Sequence, residues 1–228
     1  MTTPTALVTG AGKGIGKAIA AGLAARGFDV WLGARDRSRG TAGAAEIGGR
    51  FVQLDVTSDE QVAAAVRTIG RLDVLVNNAG TNTGGYGLPS QEDVAAMRQV
   101  YETNVFGVVR VTNAFLPLLR ESAAGRIVMV SSLRGSLAEP GAWVGQPSMP
   151  YSSSKTALNA LTAHYAHELA DTAIKVNSAC PGHVATDFNG FRGTRTPAEG
   201  AVEAIRLATM GPDGPTGKSF QDRRELAW

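Results

Sequence analysis

Tyr151 and Lys155 carry the side chains best suited to chemistry in this sequence. They are four residues apart in YSSSK, and residues at i and i+4 lie on one face of an α-helix. A free phenol and a free ammonium both titrate near pH ~10. A nearby positive charge lowers the pKa of a tyrosine, so the pair predicts a phenol that exchanges protons near neutrality. An exposed helix start with a solvated lysine is the alternative, and the pair alone does not decide.

A glycine-rich segment near the start of the chain is suited to binding phosphate. TGAGKGIG, residues 9–16, directly follows a β-like run and opens a helical pattern. Gly10, Gly14 and Gly16 permit a tight turn and let a diphosphate approach backbone N–H groups at a helix N-terminus. The spacing is neither G-x-G-x-x-G nor that of a Walker A loop. A glycine-rich turn without a ligand is the alternative.

Short β-like runs alternate with helical periodicity along the whole chain. The runs are rich in Val, Ile and Leu, which predicts strands buried on both faces and hence a parallel sheet covered by helices. The alternation predicts a doubly wound α/β fold of about seven strands, in a single domain over 1–228. The β-like runs are 5–10, 28–34, 50–56, 72–78, 125–132 and 173–180, and the helical patterns are 14–26, 58–69, 91–120, 151–170 and 197–209.

Three long Gly- and Pro-rich segments follow predicted strands, at 80–90, 133–150 and 181–197. The returns from helix to strand are short by comparison. In doubly wound sheets ligands bind beyond the carboxyl ends of the strands. We therefore expect these three segments to form a substrate pocket.

Composition narrows the classes of partner. The net charge is +2 with 18% charged residues, and the basic residues are scattered, which argues against a nucleic-acid surface. No apolar run reaches ~18 residues, so no membrane span is expected. The single cysteine, Cys180, excludes an internal disulfide and favours a reducing, cytoplasmic location. His164 and His167 lie beside Glu168, but a solvated helix face is favoured over a metal site, and no metal is predicted.

Together the motifs resemble those of the short-chain dehydrogenases/reductases. In chain order they are T-G-x-x-x-G-x-G, NNAG at 77–80, Asn104, Ser132 with Tyr151-x-x-x-Lys155, and PGHVATD at 181–187. The similarity covers almost the whole chain, and KGIG with ARDRSRG looks most like the carbonyl reductases. The resemblance implies a Rossmann-type domain that uses NAD(P) on a small carbonyl or alcohol substrate. It also implies a homo-oligomer, a dimer or tetramer, although a monomer stays open.

The resemblance implies roles for four catalytic residues. Tyr151 would donate a proton in carbonyl reduction, and Lys155 would lower its pKa and bind the nicotinamide ribose. Ser132 would hold the substrate oxygen, and Asn104 would hold a water that relays protons to Lys155. Ser131 is the competing serine, but alternation along the strand puts the two serines on opposite faces.

The charges near the glycine-rich segment predict the type of cofactor. NAD enzymes carry an acid about 20 residues beyond the glycine turn, whereas here Arg35 follows Gly16 by 19 residues. With Lys13 and Arg39 it predicts a site for a ribose 2′-phosphate, and so NADP(H) over NAD(H). Asp36 weakens this preference if it faces the ribose. The full predicted cofactor set is Gly10, Lys13, Gly14, Ile15, Gly16, Arg35, Arg39, Asp55, Val56, Asn78, Ala79, Gly80, Tyr151, Lys155, Pro181, Gly182, Val184 and Thr186.

Several alternatives stay open. Asp55 either contacts the adenine or caps the following helix. Trp143, in the segment 133–150, either lines the pocket or anchors its loop. The whole protein is interpreted as an NADPH-dependent carbonyl reductase acting on a ketone, aldehyde or quinone. The other readings are an NAD(P)-binding sensor without turnover and a nucleotide-sugar epimerase or dehydratase.

Overall fold

The computed structural model describes residues 3–83 and 85–228. The predicted domain 1–228 and the predicted loop 80–90 therefore include positions outside the described residues. The described strands are β1 Thr5–Thr9, β2 Asp29–Ala34, β3 Arg50–Gln53, β4 Val74–Asn77, β5 Arg126–Val130, β6 Lys175–Ala179, β7 Lys218–Gln221 and β8 Arg224–Leu226. They form one sheet in the order β3-β2-β1-β4-β5-β6-β7-β8. Neighbours from β3 to β7 are parallel, and β8 is antiparallel to β7.

Helices cover both faces of this sheet. They are α1 Gly14–Ala24, α2 Arg37–Ile47, α3 Asp59–Ile69, α4 Val94–Tyr101, α5 Gly107–Arg120, α6 Met149–Glu168 and α7 Pro197–Ala208. A π-helical turn, Glu102–Phe106, joins α4 to α5. The predicted Rossmann-type class is confirmed, and each of the six β-like runs contains a strand.

The core consists of two apolar clusters, one on each face of the sheet. Along β5, Ile127 and Met129 belong to one cluster and Val128 belongs to the other. Successive strand residues point to opposite faces, so a strand buried on both sides must be apolar at every position. Burying each large aliphatic side chain contributes about 1.5–3 kcal/mol, which fixes the strand register.

The structure adds elements that the periodicity did not predict. Helix α2 buries only Gly40, Gly43 and Ala44, and a Cβ on Gly40 would collide with the Phe51 ring. Its contact face is therefore made of small residues and carries no apolar period. Strands β7 and β8 are four and three residues long, too short for a periodic signal. The helical pattern 91–120 is divided by the π-helical turn.

Candidate active site

Tyr151 and Lys155 lie in the first two turns of α6, at the carboxyl edge of the sheet. Lys155 is only 4% exposed, and its Nζ donates to the backbone carbonyl of Val130, at the end of β5, over 2.8 Å. The same Nζ is 5.7 Å from the centroid of the Tyr151 ring. Lys155 is thus held inside the protein beside the phenol, and the alternative of a solvated lysine is wrong.

Burial sets the protonation of this pair. Desolvation raises the pKa of Tyr151 to about 12, although hydrogen bonding by the Ser132 side chain acts in the lowering direction. Desolvation also lowers the pKa of Lys155 to about 8. Burial therefore opposes the predicted lowering of the Tyr151 pKa, and the net shift is upward because the cost of burying a phenolate dominates. At neutral pH the phenol keeps its proton, which is the form that an acid needs.

The two serines after β5 have different surroundings. Ser131 is buried, and its Oγ donates to Asn159 Oδ1 over 2.7 Å. Ser132 is half-buried on the other side, where its Oγ accepts from the backbone N–H of Arg134 over 3.2 Å. That N–H occupies one lone pair and leaves the Ser132 hydroxyl proton free to turn toward Tyr151 or a ligand. The structure thus brings Ser132 to the phenol and commits Ser131 to the interior.

Asn104 is fully buried in the π-helical turn. Its Oδ1 accepts from the Thr81 N–H over 2.8 Å, and its Nδ2 donates to the Thr81 carbonyl and to Ser154 Oγ. A Cβ on Gly80 would lie 3.4 Å from Asn104 Oδ1 and 3.7 Å from Lys155 Nζ. Asn104 therefore ties the loop after β4 to α6 beside the lysine, while the water relay stays a prediction.

The glycine-rich segment has the shape of a phosphate cradle. Gly10 and Gly14 adopt φ of +65° and +57°, in the left-handed region that favours glycine. A Cβ on Gly16 would collide with Asn78 Nδ2, which donates to the backbone carbonyl of Thr9 over 2.9 Å. Helix α1 begins at Gly14 with no side-chain cap and no acid in its first turn. Its free N–H groups and positive end therefore fit a diphosphate.

The predicted cations are partly engaged by nearby acids. Lys13 forms an ion pair with Asp187. Arg39 Nε lies 2.7 Å from Asp36 Oδ2, and hydrogen bonds from Arg39 hold the pKa of the Asp36 carboxyl below its ordinary value. Asp36 also caps α2. Arg35 is exposed, and within residues 3–83 and 85–228 no ion pair engages it. Two of the three predicted cations thus have acid partners, and their convergence on a 2′-phosphate stays a prediction.

Asp55 and Val56 follow β3. Asp55 Oδ1 accepts from the N–H and the hydroxyl of Thr57, while the cap of α3 is Ser58. The alternative of Asp55 as the helix cap is therefore wrong. Val56 is buried, and a Cβ on Gly107 would lie 2.8 Å from its Cγ2. Neither contact tests a role toward adenine.

The segment 181–197, here called the lid, reaches from the cradle to the phenol. Thr186 Cγ2 lies 3.3 Å from the position of a Cβ on Gly14. The Phe188 ring packs on Tyr151, with the ring centroids 5.5 Å apart. The base of the lid is formed by Pro181 and Gly182, and Val184 is held by a bridge to Arg195. The lid therefore adjoins both the predicted diphosphate site and the catalytic pair.

The extended loop 133–150 is held at several points. Arg134 donates to the backbone carbonyls of Val144 and Gln146. Glu139 binds both terminal nitrogens of Arg224 and accepts from the Ala227 N–H. Trp143 is 70% exposed, so it does not anchor the loop.

Comparison with known proteins agrees with this geometry. A family model described as short chain dehydrogenase matches residues 4–196. The chain belongs to the short-chain dehydrogenase family. A short-chain dehydrogenase of Penicillium roqueforti, anuI, is 34% identical and covers 99% of this chain and 97% of its own. Mouse carbonyl reductase [NADPH] 1 is 32% identical, and the alignment covers 99% of this chain and 98% of the mouse protein. The Pseudomonas aeruginosa RhlG/NADP active-site complex superposes with a TM-score of 0.85 at 29% identity. The superposition covers 96% of this chain and 94% of that one.

Membership makes the chain part of an oxidoreductase family that binds NAD(P) and acts on small molecules. The family match contains every predicted catalytic and cofactor residue and ends before β7 and β8. Within the described part of this family member, no helix is long and apolar enough to cross a membrane. Nor do three or more His, Cys, Asp or Glu of those residues gather as around a metal ion.

Sequence reasoning missed three contributors to this short-chain dehydrogenase site. Asp187 pairs with Lys13 across a long stretch of chain. Arg134 lies close enough to the phenol to influence the pKa of Tyr151. Glu139 ties the extended loop to β8. Asp187 stands inside the PGHVATD motif, so a signal existed there, whereas the other two depend on tertiary contacts alone.

Proposed function

We propose that this protein is an NADPH-dependent carbonyl reductase that converts a ketone, aldehyde or quinone into an alcohol. The observation that carries the proposal is the buried contact of Lys155 with Tyr151, next to Ser132 and the glycine cradle. The mouse relative is a carbonyl reductase [NADPH] 1 and the Pseudomonas aeruginosa neighbour is an NADP complex, and both support the same chemistry.

The chain's own residues would handle the proton. When bound, the nicotinamide supplies the hydride. Ser132, whose Oγ already accepts from the Arg134 N–H, would donate its hydroxyl proton to the substrate oxygen. Tyr151 keeps its proton at neutral pH because burial raises its pKa to about 12, so it would donate that proton as the oxygen gains charge. Positioned acid catalysis of this kind contributes about 10²–10⁴ in rate.

Lys155 would stabilise the phenolate that remains. Its pKa, lowered to about 8 by burial, still leaves it mainly charged at pH 7. One of its three N–H donors is committed to Val130, which leaves donors for the ribose hydroxyls of a cofactor. Asn104 would act by holding Gly80 and Thr81 beside this ammonium.

Preference for NADP(H) is part of the proposal. Arg35 is exposed at the end of β2, and Arg39 Cβ lies 3.9 Å from the position of a Cβ on Gly12. Arg35 directly follows Ala34, whose Cβ lies 3.4 Å from the same position. A 2′-phosphate at this side of the cradle could therefore bind both cations. The remaining predicted contacts, Asn78 to Gly80 and the base of the lid, would flank the dinucleotide on either side.

Exposed apolar side chains support a partly apolar substrate. They come from all three predicted pocket segments, and one of them, Phe188, packs on Tyr151. The exposed set is Tyr86, Leu88, Leu137, Trp143, Val144, Phe188 and Phe191.

We further propose a cytoplasmic homo-oligomer. A shallow depression between α5 and α6, lined by Val109, Leu161 and Tyr165 among others, is available for self-association.

The test is turnover. Purified protein is screened for NADPH oxidation over a panel of ketones, aldehydes and quinones, with Tyr151→Phe beside the wild type. We expect turnover of at least one carbonyl, loss of about 10²–10⁴ in kcat for the variant, and unchanged NADPH affinity by fluorescence titration. Tyr151→Phe with near-wild-type turnover would refute the role of the phenol. NADPH binding without turnover of any carbonyl would favour the sensor.

A further inference from the structure

The glycine cradle lies between two surfaces, and Lys13 stands at the junction. A Cβ on Gly12 would lie 3.4 Å from Ala34 Cβ, on the side where Arg35 and Arg39 are found. A Cβ on Gly14 would instead lie 3.3 Å from Thr186 Cγ2 of the lid. Lys13 is the residue between them, so its long side chain can turn to either surface.

In this structure Lys13 is turned to the lid. Its Nζ pairs with Asp187, the residue after Thr186, and both side chains are about half exposed. Exposed ion pairs are weak, because water competes for both partners. A ribose 2′-phosphate resembles other phosphate monoesters in carrying roughly −1.5 to −2 charges near pH 7, more than one carboxylate. Such a group near Arg35 and Arg39 would compete successfully for the Lys13 ammonium.

The ion pair joins the lid to the cradle beside the contact of Thr186 with Gly14. Within the lid, the Phe191 N–H donates to the Thr186 carbonyl and Phe188 packs on Tyr151. At the base of the lid, the Ala185 N–H donates to the Arg195 carbonyl over 2.8 Å and Arg195 pairs with Asp222. The middle of the lid includes Phe191 with φ of +59°, a conformation that a non-glycine residue holds only under constraint. Release of Asp187 would therefore loosen the middle of the lid while its base stays attached.

We propose that Asp187 is a positioning residue that retains Lys13 on the lid, and that a ribose 2′-phosphate releases this ion pair and loosens the lid. The inference rests on the proposed use of NADP(H), and it makes Asp187 a determinant of both cofactor preference and lid mobility. NAD(H), which lacks the 2′-phosphate, would leave the ion pair intact.

Fragments of the cofactor separate this effect from contacts with the nicotinamide. Adenosine 2′,5′-bisphosphate carries the 2′-phosphate but lacks the nicotinamide, and AMP, which has the same 5′-phosphate, is its matched control. Hydrogen exchange of lid amides is followed with each fragment, and affinities are measured by calorimetry. The variants are Asp187→Asn, Lys13→Met and, as a matched control, Glu46→Gln. The last removes the partner of Lys17, a second exposed ion pair of α1.

In the wild type we expect the bisphosphate to speed exchange at 186–192 about two- to fivefold, and AMP to leave it unchanged. Asp187→Asn should show the faster exchange without ligand and no further change with the bisphosphate. It should also bind the bisphosphate about two- to fivefold tighter and AMP equally, because Lys13 no longer has a competing partner. Lys13→Met should reduce the preference for the bisphosphate, because only Arg35 and Arg39 then remain to bind the 2′-phosphate, and Glu46→Gln should behave as wild type.

Two results would overturn the inference while leaving the proposed function intact. One is a bound bisphosphate that leaves lid exchange as it was or changes it no more than AMP does. The other is an Asp187→Asn variant that tightens both fragments by the same factor. Failure of the wild type to bind the bisphosphate at all would instead overturn the NADP(H) assignment, and the inference with it.

Discussion

Tyr151, Ser132 and Lys155 illustrate how burial determines what a side chain can do. The spacing of Tyr151 and Lys155 was enough to predict that they share a helix face. It was not enough to predict their pKa values, since these depend on residues brought together by the fold. Desolvation moves the pKa of the phenol up and that of the ammonium down. Both shifts disfavour the charged form. At neutral pH a protonated phenol therefore lies beside an ammonium that is still mostly charged.

The paired serines after β5 offer a sharp test at this scale. Ser132→Ala should lower kcat by about 10²–10³, because it removes a donor to the substrate oxygen. Ser131→Ala should leave kcat near the wild-type value but cost about 1–3 kcal/mol in the free energy of unfolding, since Asn159 Oδ1 loses its buried donor. Steady-state kinetics and urea unfolding of both variants measure this. Equal losses of kcat would contradict the separation of the two serines.

Single elements were predictable where they bury a large apolar face. The six β-like runs gave strands because they are buried on both sides of the sheet. Helix α2 gave no signal, since close packing needs small residues such as Gly40. The sequence did not predict the π-helical turn around Asn104 either. One extra residue in a helical turn does not alter the kinds of residue from which a helix is recognised. Such turns are frequent at functional sites, and here the turn carries Asn104, the fully buried amide of the predicted catalytic set.

The extended loop 133–150 depends on Glu139 for its attachment to β8. Glu139→Gln should weaken the two-point contact with Arg224. We expect KM for the carbonyl substrate to rise about three- to tenfold. The affinity for NADPH should stay unchanged, because Glu139 is hydrogen-bonded to Arg224 and Ala227, which are outside the predicted cofactor set. Glu225→Gln is the matched control, since it breaks another exposed pair of the same hairpin, Lys218 with Glu225. A parallel change in both variants would argue for a general effect on the hairpin.

At the scale of the whole molecule, one sheet with two apolar clusters supports a site built entirely at one edge. Fold class followed from the alternation of strands and helices, whereas the substrate pocket among the long loops stays a prediction. The ion pairs that hold these loops could not be predicted from the sequence. The assembled sheet brings Asp187 to Lys13 and Glu139 to Arg224 across long stretches of chain.

Core packing should dominate the stability of this sheet. Phe115 of α5 is fully buried, whereas Phe106 is 52% exposed. Phe115→Ala should cost about 3–5 kcal/mol, from lost burial and the cavity left behind. Phe106→Ala should cost about 0.5 kcal/mol or less, as expected for a surface position. Denaturant unfolding measures both, and a similar loss for the two variants would contradict the assigned core.

The tie between Glu139 and Arg224 also bears on how the protein matures during translation. All the strands that build the cradle leave the ribosome well before β8, which fastens the extended loop. The attachment of the extended loop is therefore completed only once Arg224 has been synthesised, after every strand beneath the cradle.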